Sequence, residues 1–174
     1  MTCIIAMIKN NNAIIAADRG ASDTNIILPL ATSKIWQKNK YLFGYYGGME
    51  GELVKDNFTP PEMPKTDIDV FMRGTFLLKL KDFYEQSGIN KDTSELGLIV
   101  IAGNYIYEHN ITDMSMSRYE TDYLACGSGS EYAFGSLYST STYKDSIKRI
   151  KVALEAAIKY SPSCLGPIDI LERK

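Results

Sequence analysis

The chain has 174 residues, of which 45% are apolar and 23% charged, with a formal net charge of -2. That length fits a single domain (1–174) able to bury most of its apolar surface without staples, and the small net charge gives no reason to expect nucleic acid or an anionic membrane as partner. The longest apolar runs, such as 96–102, are strand-length and too short to span a bilayer; no signal peptide is read at the N-terminus, and the odd, scattered set Cys3, Cys126 and Cys164 suits a reducing, cytoplasmic setting better than a disulfide framework.

The first eighteen residues read as a strand, a tight turn at Asn10-Asn11-Asn12 and a second strand ending in Ala16-Ala17-Asp18. A polar stretch, 20–25, and a short apolar piece, 26–30, follow. Ser33-Lys34-Ile35-Trp36-Gln37 and the run from Tyr41 to Tyr46 flank Lys38-Asn39-Lys40 as a second hairpin, which ends in Gly47-Gly48. The segment 58–65, with Pro60, Pro61 and Pro64, is a loop or hinge. Thr66 with Asp69 three residues on predicts a capped helix whose apolar positions Ile68, Phe71, Phe76, Leu80 and Phe83 run up to Gly88. A third hairpin turns at Gly103-Asn104. The strand Tyr123-Leu124-Ala125-Cys126 then enters Gly127-Ser128-Gly129-Ser130 and a short helix through Tyr138. Thr142 with Asp145 repeats the capping pattern ahead of a helix carrying Ile147, Ile150, Leu154, Ala157 and Ile158, and a last strand is expected near 168–171. Strands and helices segregate rather than alternate. This predicts an α+β fold of two stacked antiparallel sheets flanked by helices, a four-layer αββα sandwich.

Thr2 carries the chemistry. With Met1 removed, it would hold both a hydroxyl nucleophile and a free α-amine. Such an amine titrates near pH 8, so part of it is neutral and can take the hydroxyl's proton. On the residues alone, other readings stay open. Asp18 reads equally as a turn residue, Lys34 as solvated surface, and Gly47-Gly48 as a strand stop. The stretch Gly127-Ser128-Gly129-Ser130 reads as a helix cap or anion nest, and it lacks the Gly-Lys-Ser/Thr ending of a phosphate loop. Cys3 is a rival nucleophile, but Met removal exposes residue 2, which leaves Cys3 as a small buried strand residue. His109, the single histidine, has no Cys/His cluster around it that would suggest zinc.

These landmarks, in order and in register, resemble the proteasome β-subunits and the bacterial HslV peptidase, threonine peptidases of the N-terminal-nucleophile hydrolases. Thr2 stands where that family has its nucleophile, Asp18 at its acidic position and Lys34 at its catalytic lysine. Gly48 stands where a backbone N–H completes the oxyanion hole, and Ser128 in the Gly-Ser-Gly turn beside the N-terminal amine. Gly47 and Arg19 fall at substrate-contacting positions. The resemblance implies peptide-bond hydrolysis with no metal or organic cofactor. It also implies a peptide or protein substrate, assembly into a homo-oligomeric ring and, by analogy with HslV, an ATP-dependent unfoldase partner. It departs near the end of the last long helix. There the family carries an Asp followed three residues later by Ser or Thr; here Lys159 stands at about the acid's place, and Ser161 or Ser163 is left to supply the hydroxyl. Two alternatives share the fold: an inactive scaffold, assembly or inhibitor protein, and a small-molecule amidase on the same core.

Overall fold

The computed structural model describes residues 2–23 and 25–173. The chain opens with β1 (Ile4–Lys9) and β2 (Asn12–Ala17), joined through Asn10 and Asn11 at φ 51° and 61°. Two successive left-handed residues give a turn whose twist matches that of the strands, and Asn tolerates this backbone. The ribbon β3 (Gly20–Ser22) and β4 (Ile27–Pro29) follows. After it come β5 (Ile35–Lys38) and β6 (Tyr41–Tyr46), then α1 (Gly51–Asn57), then the helical segment α2 (Ile68–Phe71), a π-helical stretch Met72–Phe76 and α3 (Leu77–Gln86). The strands β7 (Gly97–Ala102), β8 (Tyr105–Asn110), β9 (Ser115–Arg118) and β10 (Tyr123–Cys126) lead into α4 (Ser130–Ser139), α5 (Ser146–Tyr160) and β11 (Asp169–Arg173).

The strands form an antiparallel four-stranded sheet ordered β10-β1-β2-β11 and an antiparallel five-stranded meander running from β5 to β9. β1 and β2 lack polar alternation because both of their faces are covered. Ile5, Met7, Ile14 and Ala16 meet α4 and α5, while Ile4, Ala6, Ile15 and Ala17 meet Ile35, Leu42, Ile99 and Ile101 of the other sheet. Each fully buried Ile or Leu in that layer contributes roughly 1.5–3 kcal/mol. On the outer face of the meander, Tyr41, Phe43, Phe58 and Phe76 pack in an aromatic cluster under the helices, and Trp36 stacks on its cross-strand partner Phe43 at 5.0 Å. The expected αββα order of layers is thus the observed one.

Local details differ from the expectation. The helix after the proline segment starts after Asp67, which sits at φ 56° and makes no side-chain cap, so the expected Thr66 cap is not formed. α5 is capped by Asp145, whose Oδ1 accepts the Lys148 N–H at 3.0 Å, three residues beyond the expected Thr142; an Asp at that spacing is itself a strong cap. The ribbon β3–β4, β9 and α1 are additional elements. None is longer than seven residues, and each buries too few side chains to show a period.

Candidate active site

Pairing on both sides of β1 builds the site. β2 runs antiparallel to β1 with Ile4 opposite Ala17, so Asp18 comes level with Cys3, and the Asp18 N–H extends the ladder to the Cys3 carbonyl at 3.2 Å. On the other flank Ile4 lies opposite Cys126, which brings the turn after β10 alongside Thr2. There the Thr2 N–H donates to Ser128 Oγ at 3.2 Å, and the Gly129 N–H donates to the Thr2 carbonyl at 3.2 Å. Gly127 makes this approach possible. It sits at φ 91°, and a Cβ on it would lie 2.2 Å from the Thr2 carbonyl oxygen.

Asp18 is fully buried and its carboxylate is saturated. Oδ1 accepts from the Cys3 N–H at 2.9 Å and from Lys34 Nζ at 3.0 Å; Oδ2 accepts from the Gly20 N–H at 2.8 Å and the Leu165 N–H at 3.0 Å. Lys34 stands just before β5, in the other sheet, and reaches across with only 1% of its surface exposed; its ammonium also donates to the Gly20 carbonyl at 2.5 Å. Burial pulls the Lys34 amine below the usual lysine range, and the charge and hydrogen bond of Asp18 pull the other way. Burial pushes the Cys3 thiol up, and Cys3 is wholly enclosed, so it stays a protonated core residue and not a nucleophile.

Thr2 and Lys34 both line a cleft of about 560 Å³. Its walls come from the ribbon (Ala21, Ile26, Leu28) and from Tyr45, Gly47 and Met49 at the end of β6. Ile26, Leu28 and Met49 are 61%, 64% and 52% exposed, so this is an open groove with apolar walls. Gly47 is on the cleft surface and Gly48 follows it directly, half-buried, without lining the cleft. Arg19 is not among the residues that line this cleft. Its guanidinium grips Asp169 of β11 through two bonds of 2.7 Å and donates to the carbonyl of Ala31, which does line it, so Arg19 ties β11 to the start of the ribbon.

The segment after α5 closes the back of the site. Lys159 is exposed and lies over the Tyr160 ring, turned away from Thr2. Ser161 and Ser163 are buried, and the Ser163 N–H donates to Ser161 Oγ at 3.4 Å. Cys164, whose thiol is pushed up by burial, is buried in the same cluster as Cys3, and its Sγ lies against Gly129, where a Cβ would come within 2.6 Å of it. Sequence reasoning missed Cys164, Leu165 and the carbonyl of Gly20. Backbone groups carry no residue-type signal, and a cysteine in a scattered set shows nothing of its neighbours.

No protein-family model and no curated protein matches the chain. Solved structures do. BPH from Thiobacillus denitrificans, in complex with epoxomicin, superposes at TM-score 0.82 with 17% identity over 99% of this chain and 98% of that one. Eukaryotic HslV from Trypanosoma brucei gives TM-score 0.73 and 16% identity over 98% of each chain. Anbu, the ancestral β-subunit, from Yersinia bercovieri gives 0.70 and 12% over 98% of this chain and 81% of that one. With β1, β2 and their paired turns assembled around Thr2 as described, and with this likeness running through both sheets and both helix layers, the chain has the proteasome-like N-terminal-nucleophile hydrolase fold.

Proposed function

We propose that the chain is a threonine-type endopeptidase whose nucleophile is Thr2, made active by removal of Met1, a residue that lies outside the described ones. The observation that carries this reading is that Ser128 Oγ lies 3.2 Å from the Thr2 nitrogen while Lys34, held by the buried Asp18, lines the same cleft as Thr2. In this mechanism the Thr2 hydroxyl attacks the peptide carbonyl while the α-amine takes its proton and passes it to the leaving amine. A water molecule, deprotonated by the same amine, then hydrolyses the ester. Lys34 has three N–H donors, two of which go to Asp18 and the Gly20 carbonyl; we assign the third to the Thr2 hydroxyl, where a cation favours the alkoxide. Its neighbouring charge also lowers the pKa of the amine. Asp18 orients Lys34, and the Gly48 N–H meets the oxyanion. The open groove favours an extended peptide over a small amide, and a homo-oligomeric assembly with an unfoldase partner goes with the same reading.

A silent homologue is the second reading. It is favoured by the outward-turned Lys159 and by the buried thiol of Cys164 against Gly129. The decisive experiment is intact mass spectrometry of protein from its native host, with and without an epoxyketone probe, which needs both the hydroxyl and the free amine. The peptidase reading expects Met1 absent, one adduct on Thr2, and no adduct or hydrolysis for Thr2→Ala. Retained Met1 without an adduct, or full hydrolysis by Thr2→Ala, overturns it.

A further inference from the structure

We infer that Glu108, on β8, is a positioning residue that ties together the two loops flanking Thr2; this rests on the peptidase reading. Its carboxylate accepts from three side chains. Oε1 takes the Tyr46 hydroxyl at 2.6 Å and the Cys126 thiol at 3.2 Å, and Oε2 takes the Tyr119 hydroxyl at 3.0 Å. Tyr46 is the last residue of β6, directly before Gly47-Gly48. Cys126 is the last residue of β10, directly before Gly127-Ser128. One carboxylate therefore holds the strand end that leads to the oxyanion N–H and the strand end that leads to the hydroxyl beside the Thr2 nitrogen.

The two strand ends belong to different sheets, so Glu108 is a polar tie across the inter-sheet layer. Around it that layer is built from Ile4, Ile99, Ile106 and Leu124. A carboxylate beside such a layer is costly unless it is matched by donors, and hydrogen bonds to an ionised acceptor are shorter and stronger than neutral ones. The backbone makes room for the tie. Gly97 lies opposite Tyr46 in β7, and a Cβ there would fall 2.1 Å from Tyr46 Cζ and 2.5 Å from its hydroxyl. The ring thus lies directly on the β7 backbone and spans it to reach β8. Burial pushes both the Tyr46 phenol and the Cys126 thiol up, so both keep their protons and remain donors. Catalytic groups have to be held to fractions of an ångström, and loops achieve this only when their supports are themselves fixed by hydrogen bonds.

The test compares Glu108→Gln, Tyr46→Phe and the double variant, all processed to Thr2, in peptide hydrolysis and in amide hydrogen exchange. Glutamine keeps the side-chain volume but replaces one acceptor oxygen by a donor NH₂. The expected result is a fall in kcat of about tenfold to a hundredfold with KM within about twofold. The double variant should be no worse than Glu108→Gln alone, because both changes break one network. Exchange should quicken at 46–48 and 126–129 and stay unchanged in α5. Unaltered kcat, multiplicative losses, or exchange that quickens throughout the chain overturns the proposal. If the wild-type protein shows no Thr2-dependent hydrolysis, the peptidase reading fails, and exchange still decides the tie: local quickening in Glu108→Gln supports it, and unchanged loops refute it.

Discussion

Asp18 and Lys34 form a buried ion pair whose members are unequal. Removing Asp18 strands an ammonium with 1% exposure and leaves the N–H groups of Cys3, Gly20 and Leu165 without their acceptor. Removing Lys34 leaves Asp18 still holding those three donors. Asp18→Ala should therefore lose about 3–5 kcal/mol of stability together with all activity. Lys34→Met should lose activity by at least about a hundredfold at a cost of only about 1–2 kcal/mol. Urea unfolding midpoints read beside peptide hydrolysis check this; equal destabilisation by the two changes, or an active Lys34→Met, contradicts it. The grouping of Thr2, Asp18, Lys34 and Ser128 was legible in the sequence because each lies within two residues of the end of a strand with a readable pattern, and β-pairing then fixes which ends meet. Glu108 and Cys164 were not: the partners of Glu108 lie 62, 18 and 11 residues away in sequence, and nothing local marks either residue.

At the scale of elements, pieces with a buried period or a marked turn were legible, down to the four-residue β10, and short ones without either were not. The β1–β2 hairpin carries its own turn residues, and α5 carries an apolar stripe from Ile147 to Ile158. Both declare themselves without tertiary context. The ribbon β3–β4 has three-residue strands lying outside the three apolar clusters, so no burial period could mark it. On the peptidase reading, a wall so lightly packed would be free to set specificity. Leu28 is 64% exposed on the cleft wall, so Leu28→Lys should change stability by no more than about 0.5 kcal/mol. Its KM for peptides with an apolar residue at the cleaved bond should rise several-fold with kcat nearly unchanged. Steady-state kinetics on paired apolar and acidic peptides would show this. An unchanged KM for both would mean that the ribbon wall does not touch substrate.

For the whole molecule, one contribution to acid sensitivity lies far from the site, beneath the helix layer. His109 is fully buried on β8 and stacks against Tyr84 of α3 at 5.7 Å. Its Nδ1 lies 2.6 Å from the Ser115 carbonyl, which can only accept, so that nitrogen carries the proton of the neutral ring. Nε2 is buried and has no hydrogen-bond partner among the described residues. Protonation would place a charged N–H there, and burial accordingly lowers the His109 pKa from 6.5 to about 4, against smaller opposing effects of the Ser115 bond and the charge of Asp113. The unfolded chain binds this proton below about pH 6.5 and the folded chain only below about 4. Stability from the neutral ring is therefore complete above the upper value and drains away as pH falls through the window, by about 3 kcal/mol. His109→Gln can still donate to the Ser115 carbonyl and cannot titrate. Its urea midpoint should consequently fall less than that of the wild type between pH 7 and pH 4, with the two curves converging towards the acid end. Parallel curves across that range would place the proton uptake on the carboxylates instead, and the orphaned Nε2 would then have to find an acceptor as the ring charges.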